Sequence, residues 1–347
     1  MRKLLLLFSI FVTSFSFAQD EGYKIPPKEI ADLLLAKPAP AVSIDGKAAW
    51  MLIMERNSYP SVEELAQPEF RIAGQRINPN NFAPSRQNFM NGFSLKDIKA
   101  GKEYAVAGLP ANLLANNVSW SPDEKKIAFT NTTNKNVDLY VIDVVAHKAM
   151  KVNKQPLNVI LGQAFSWMDD NTLLYKVILQ PAAAAPARSL MPAGPTVQQN
   201  LGKVAPSRTY QDLIKSPYDE QLFAFFATAQ LVKNTNGVET KIGKPAIYTT
   251  ISLSPDKKYM LTRTIHAPFS YLVPANGFNA TVSITDLTGK VVKALAELPS
   301  SELSPSGFDN ILNAPRFFEW RDDVAATITW SMPLDSGIYK SKTDFHD

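Results

Sequence analysis

The chain of 347 residues contains no cysteine, which excludes disulfides, thiolate nucleophiles and thiolate metal sites. Its histidines are three, His147, His266 and His346. None has a second histidine at metal-ligand spacing, so no zinc or other metal site is expected. His147, in a turn beside Lys148, reads as a solvated imidazole. There is no Gly-x-Ser-x-Gly elbow and no glycine-rich phosphate cradle. No serine is offered to a histidine held by a carboxylate. No cofactor is expected. A large excess of one charge is also missing: the formal net charge is +4, falling to about +2 without Arg2 and Lys3. With no Lys/Arg run interleaved with aromatics, nucleic acid is not an expected partner.

Long apolar runs are equally scarce. The one candidate, Leu4–Val12, is short of the roughly 20 residues a spanning helix needs. It follows Arg2-Lys3 and precedes Ser16-Phe17-Ala18, the order of a secretory signal with small residues at the cleavage positions. Cleavage after Ala18 would leave Gln19 first. The expectation is an exported protein, periplasmic or secreted, with no stable membrane insertion once residues 1–18 are removed.

What is present is a repeated phrase. Val118-Ser119-Trp120-Ser121-Pro122-Asp123 leads into Ile127 and Phe129, and Ile251-Ser252-Leu253-Ser254-Pro255-Asp256 leads into Met260 and Leu261. Proline presets φ in the turn, and the aspartate can accept from an amide two residues on. Shorter versions start at Val42, Phe165 and Phe318. Short strands with one turn signature per unit, at a period of roughly 40–50 residues, indicate an all-β chain of β-propeller type. Val118 and Phe165 are 47 residues apart, and the longer gaps must hold insertions. Asp169-Asp170 and Asp322-Asp323 recur at equivalent places, so they read as turn builders.

Outside the repeat, a short helix is expected after the prolines Pro26-Pro27, within an amino-terminal extension over residues 19–41. The propeller would occupy 42–347, with insertions near 55–90 and 180–225. In the first insertion, Ser61 and Glu64 form a capping box, and Phe70–Pro79 reads as one strand. The second begins with the Pro/Ala-rich stretch from Gln180 to Lys203, a solvated excursion. Thr209–Ile214 then reads as a short helix ending before Pro217, Asp219–Phe223 as the start of another, Phe225–Val232 equally well as strand, and Asn236-Gly237 as a hairpin turn.

Two segments of the first insertion are more specific. Tyr59-Pro60-Ser61-Val62-Glu63-Glu64-Leu65-Ala66-Gln67-Pro68-Glu69 and Arg71-Ile72-Ala73-Gly74-Gln75-Arg76-Ile77-Asn78-Pro79 closely resemble glutamyl endopeptidase-like members of the prolyl oligopeptidase family. Thr209–Glu220 and Tyr23–Pro27 resemble further family segments, and the likeness is strongest to exported proteins of the Bacteroidetes type. The resemblance implies a serine peptidase built of a gating propeller followed by an α/β-hydrolase domain that carries the triad. That domain is absent from this sequence, so no catalytic residue transfers. Five blade starts are recognisable where the family implies seven, an incomplete ring. The functional expectation is a substrate-access propeller for proteolysis after acidic residues, inactive alone, its peptide substrates reached through the missing hydrolase domain. The alternative is a free-standing propeller that binds a protein or peptide partner. Arg56, Arg71, Arg76 and Arg86 are candidates for steering acidic peptides; the competing reading pairs them with Glu55, Glu63, Glu64 or Glu69 on a solvated surface.

Overall fold

The Ser-Pro-Asp turns close with the same hydrogen bonds in both full copies. Ser121 Oγ donates to Asp123 Oδ1 (2.7 Å) and accepts from the Lys126 amide (3.0 Å), while Asp123 Oδ1 accepts from the Lys125 amide (3.2 Å). In the second copy Ser254 Oγ donates to Asp256 Oδ1 (2.7 Å) and accepts from the Tyr259 amide (3.0 Å), while Asp256 Oδ1 accepts from the Lys258 amide (3.1 Å). Both serines are buried. The Ser254 hydroxyl, then the Lys258 amide and charge, hold the Asp256 carboxyl below the usual aspartate range against the opposing effect of burial. Glu124 and Lys257 take the left-handed backbone that the turn requires.

These turns organise a computed structural model that describes residues 26–179, 184–188 and 209–347. Ala18, Gln19, the proposed signal, Tyr23–Ile25 and most of the Pro/Ala-rich stretch lie outside the described residues. The chain divides into two units, residues 1–38 and 39–347. The first is represented by helix α1 (Lys28–Leu35), which follows Pro26-Pro27 as expected.

The second unit is an incomplete β-propeller. Blade 1 holds β1 (Ala41–Ile44) and β2 (Trp50–Arg56). An insertion with α2 (Val62–Leu65), β3 (Phe70–Ile72), β4 (Gln75–Asn78) and β5 (Ala83–Pro84) follows. β6 (Met90–Asp97) and β7 (Lys102–Ala105) complete the blade. Blade 2 is the meander β8 (Ala115–Trp120), β9 (Lys126–Thr132), β10 (Val137–Asp143) and β11 (Lys148–Lys151). Blade 3 begins with β12 (Phe165–Asp169) and β13 (Thr172–Ile178); α3 (Pro217–Ala227) intervenes before β14 (Ala229–Thr235). The long β15 (Val238–Leu253) then serves two blades. Its first half pairs with β14 through Ala246, and its second half pairs from Ile247 with β16 (Tyr259–Ile265). β17 (Ala280–Asp286) and β18 (Val291–Leu298) complete blade 4, and β19 (Arg316–Trp320) with β20 (Ile328–Ser331) starts blade 5. All five expected blade starts are strand pairs. Asn236 and Gly237, both at positive φ, make the β14–β15 turn, the backbone a two-residue hairpin prefers.

Blades are tied by a repeated bond. The indole nitrogen of Trp120 donates to Ser43 Oγ of blade 1 (2.9 Å), that of Trp167 to the Ser119 carbonyl of blade 2 (3.2 Å) and that of Trp320 to the Ser252 carbonyl of blade 4 (3.1 Å). Blade 4 has Leu253 at the matching place and therefore no such donor. Apolar clusters fill the joints: Leu52, Phe93 and Phe129 between blades 1 and 2, Leu139, Tyr175 and Val232 between 2 and 3, and Leu174, Tyr248 and Met260 between 3 and 4.

Three local expectations are corrected. Phe70–Pro79 is a hairpin, β3–β4, because Ala73 and Gly74 both take positive φ and reverse the chain. Residues 209–216 are not helical. The helix starts at Pro217, whose absent amide suits the first turn, with Ser216 capping the Asp219 amide. His147 is not a solvated imidazole. It stacks on Tyr104 at 4.1 Å and lies 5.5 Å from Trp50, with Nε2 buried.

Candidate functional site

The blade 1 insertion is where sequence and packing are both least generic. The capping box forms as expected: Ser61 Oγ accepts from the Glu64 amide (3.1 Å), and Glu64 reaches back to the Ser61 amide (3.2 Å). From there the β3–β4 hairpin runs into a core of its own. Ile72, Ala73 and Ile77 are buried with Phe82, Phe223, Phe226 and Phe278. The rings of Phe82 and Phe226 stand 5.0 Å apart, and Phe223 meets Phe278 edge-on at 5.5 Å. At the tip, the Gly74 amide donates to the Asp212 carbonyl and the Ala275 amide to the Ala73 carbonyl, both at 2.8 Å. A side chain at Gly74 would place its Cβ 2.3 Å from Pro274 Cβ, so the motif needs glycine there for contact as well as for φ. The hairpin thus locks segments from blade 1, the 209–227 insertion and blade 4 into one body.

The face of the hairpin turned from this core carries arginine. Arg71 and Arg76 are directly opposite each other in the β3–β4 register, a like-charge pair that is unfavourable unless neutralised. Glu69 accepts from Arg71 Nε (2.8 Å) and lies 3.2 Å from Arg86 Nε; Arg76 Nε donates to Asp212 Oδ2 (3.1 Å). The Ser85 hydroxyl, then Arg71 and Arg86, hold the Glu69 carboxyl below the ordinary range against the opposing effect of burial. Beside them lies a small cavity of about 80 Å³, bordered by Glu69, Asn78, Arg86, Asn88 and Phe89. Of the four arginines singled out in the sequence, the fold therefore gathers Arg71, Arg76 and Arg86. Arg56, exposed at the end of β2 opposite Met90, takes no part in these pairings.

A larger cavity of about 400 Å³ opens between blades 4 and 5. Arg263 of β16 and Arg316 of β19 line it among Leu261, Phe278, Val282 and Leu298. No motif marked these two residues. Each is an isolated arginine in an ordinary strand, and only the packing of β16 against the segment before β19 brings them to one space. Among the described residues, no group of three or more His, Asp and Glu is placed to hold a metal ion, and no helix is long and apolar enough to cross a membrane.

No family model matches the sequence. Two plant proteins, each named "Probable glutamyl endopeptidase, chloroplastic", are similar along almost the whole chain. The protein from Oryza sativa subsp. japonica is 34% identical over 342 residues, covering 94% of this chain and 36% of its own length. The protein from Arabidopsis thaliana is 34% identical over 340 residues, covering 94% and 35%. The chain spans about a third of the length of these relatives. Among solved structures, the β-propeller domain of the Trilobed protease from Pyrococcus furiosus is similar at 8% identity, with a TM-score of 0.35 over 75% of this chain and 57% of that one. At that level the fold rests on the strand topology itself. By sequence, this propeller is similar to proteins named glutamyl endopeptidase over a segment about a third of their length.

Proposed function

We propose that this chain is the substrate-access propeller of an exported serine-type endopeptidase that cleaves after acidic residues, the nucleophile lying outside these 347 residues. The observation that carries the reading is the 34% identity, across 94% of the chain, to proteins named glutamyl endopeptidase. Acyl transfer needs an activated nucleophile and donors for the developing oxyanion, and this sequence offers no recognisable set of either. What it does offer is a propeller wall with the blade 1 hairpin packed into it and a cavity between blades 4 and 5 lined by two arginines. A propeller of this kind acts by admitting some peptides to a neighbouring active site and excluding others. Export of the bacterial type follows from residues 1–18: processed material should begin at Gln19, and exported protein that keeps Met1–Ala18 would count against it.

The test is to produce the chain alone and, separately, joined to the coding sequence that follows it. The longer product should cleave peptides after glutamate and the 347-residue chain should not. Turnover by the clean shorter chain, or a longer product with no peptidase activity, would overturn the proposal. Stable, soluble expression of the chain ending at a genuine stop codon would favour the free-standing binding propeller instead.

A further inference from the structure

The cavity between blades 4 and 5 holds positive charge that the protein itself leaves incompletely matched. Among the described residues, the buried Arg316 Nη1 has no hydrogen-bond partner. Its Nη2 is paired with the Asp347 carboxylate, and its guanidinium lies 5.4 Å from the centre of the Phe317 ring. Arg263 donates only to neutral oxygens, Thr249 Oγ1 at 3.1 Å and the Asn276 carbonyl at 3.2 Å. Burial lowers the Arg263 pKa, yet a guanidinium stays protonated at any physiological pH. The Arg263 cation, with no carboxylate beside it, and the orphaned buried N–H of Arg316, whose other nitrogen is matched by Asp347, are costly in an apolar space unless an anion joins them. Arg71, Arg76 and Arg86 of the blade 1 insertion each have a carboxylate partner, as Arg316 has in Asp347, whereas Arg263 has neutral oxygens alone.

The shape narrows the ligand. About 400 Å³ is within the usual range for small-molecule and peptide side-chain pockets, and too much for a bare anion. The walls supplied by Leu261, Phe278, Val282 and Leu298 favour a ligand with an apolar body. Arginine forks match planar carboxylates through paired N–H donors. We propose that this cavity binds an acidic side chain of a peptide, with Arg263 and Arg316 as carboxylate donors and the apolar walls receiving a neighbouring residue. The choice of a peptide rests on the peptidase reading above; the carboxylate site rests on the two arginines and the cavity.

The experiment titrates the 347-residue chain calorimetrically with N-acetyl-Phe-Glu-Phe-amide and with its Gln isostere. The Glu peptide should bind about tenfold or more tightly, the range of one charge-assisted hydrogen bond, and its affinity should fall with added salt. Arg263→Gln and Arg316→Gln should each abolish most of that preference. Because either variant can perturb the fold, wild-type protein is also treated with phenylglyoxal and its arginines are followed by peptide mass spectrometry. The Glu peptide should protect Arg263 and Arg316, and the Gln peptide should not. Equal binding of the two peptides, or equal labelling of both arginines with and without the Glu peptide, would overturn the site. Glutamyl-peptide binding here, combined with a longer enzyme that shows no cleavage after glutamate, would count against the peptidase reading alone.

Discussion

Arg71 and Arg86 share Glu69, and Arg76 has Asp212; Arg263 has only neutral oxygens, and one nitrogen of Arg316 has no partner. The two regions use the same side chain to different ends. In the blade 1 insertion, carboxylates neutralise a cross-strand arginine pair, and the hairpin beneath is anchored by aromatic packing. In the blade 4–5 cavity the apolar walls remain, and the balancing anion is only partly supplied. A cluster of arginines in sequence is therefore a poor guide to a binding site. The useful observation is the partner each guanidinium has in three dimensions.

The contrast can be broken most forcefully at the anchor. Phe226→Ala removes a ring packed between Phe70, Phe82 and Phe225 and should cost about 3–5 kcal/mol in urea unfolding. A loss below about 1 kcal/mol would show that the insertion is not part of the cooperative core.

A buried cation that can discharge sharpens the comparison next. Lys176 is buried, has the Leu161 carbonyl as its partner, and desolvation lowers its pKa from 10.5 to about 8. Between those two pH values the unfolded chain binds more protons than the folded one. Stability therefore rises with pH across the window and the penalty is fully present below about pH 8. Relative to Lys176→Met, the wild type should gain up to about 3 kcal/mol from pH 8 to pH 10.5. Parallel stability curves for the two proteins would refute a neutralising lysine.

The bonds that keep the blades in register give a smaller effect. Trp120→Phe keeps the ring and deletes the donor to Ser43, so a loss of about 1 kcal/mol is expected from thermal or urea unfolding. Leu253, the matching residue of blade 4, forms no such bond, and Leu253→Phe should lack that specific loss beyond its packing change.

Least affected should be the ion pairs made by the exposed arginines of the insertion. A double-mutant cycle on Glu69→Gln and Arg71→Gln should return a coupling of about 0–1 kcal/mol. In the longer enzyme, Arg71→Gln and Arg76→Gln should leave the efficiency ratio for acidic over neutral peptides unchanged. A clear drop in that ratio would restore the steering role that their clustering in the sequence suggests.

Blade starts were legible because they are local. Alternating apolar residues and a Ser-Pro-Asp turn specify a strand pair within about a dozen residues, and the turn closes on its own side chains. The capping box at Ser61–Glu64 and the Asn236-Gly237 turn were readable for the same reason. The Phe70–Pro79 hairpin was not, because an alanine at positive φ is no turn signal; Ala73 adopts it where the tip is held by Asp212 and Ala275. His147 looked solvent-bound until Tyr104 and Trp50, from blade 1, closed over it. Arg263 and Arg316 carry no local mark at all. By itself, the sequence determined the strands, their turns and the repeated architecture, since those depend on residues a few positions apart. Only the tertiary structure decided which arginines are neutralised and which face a cavity, because a charge's state depends on partners that the packing of distant segments brings within a few ångströms.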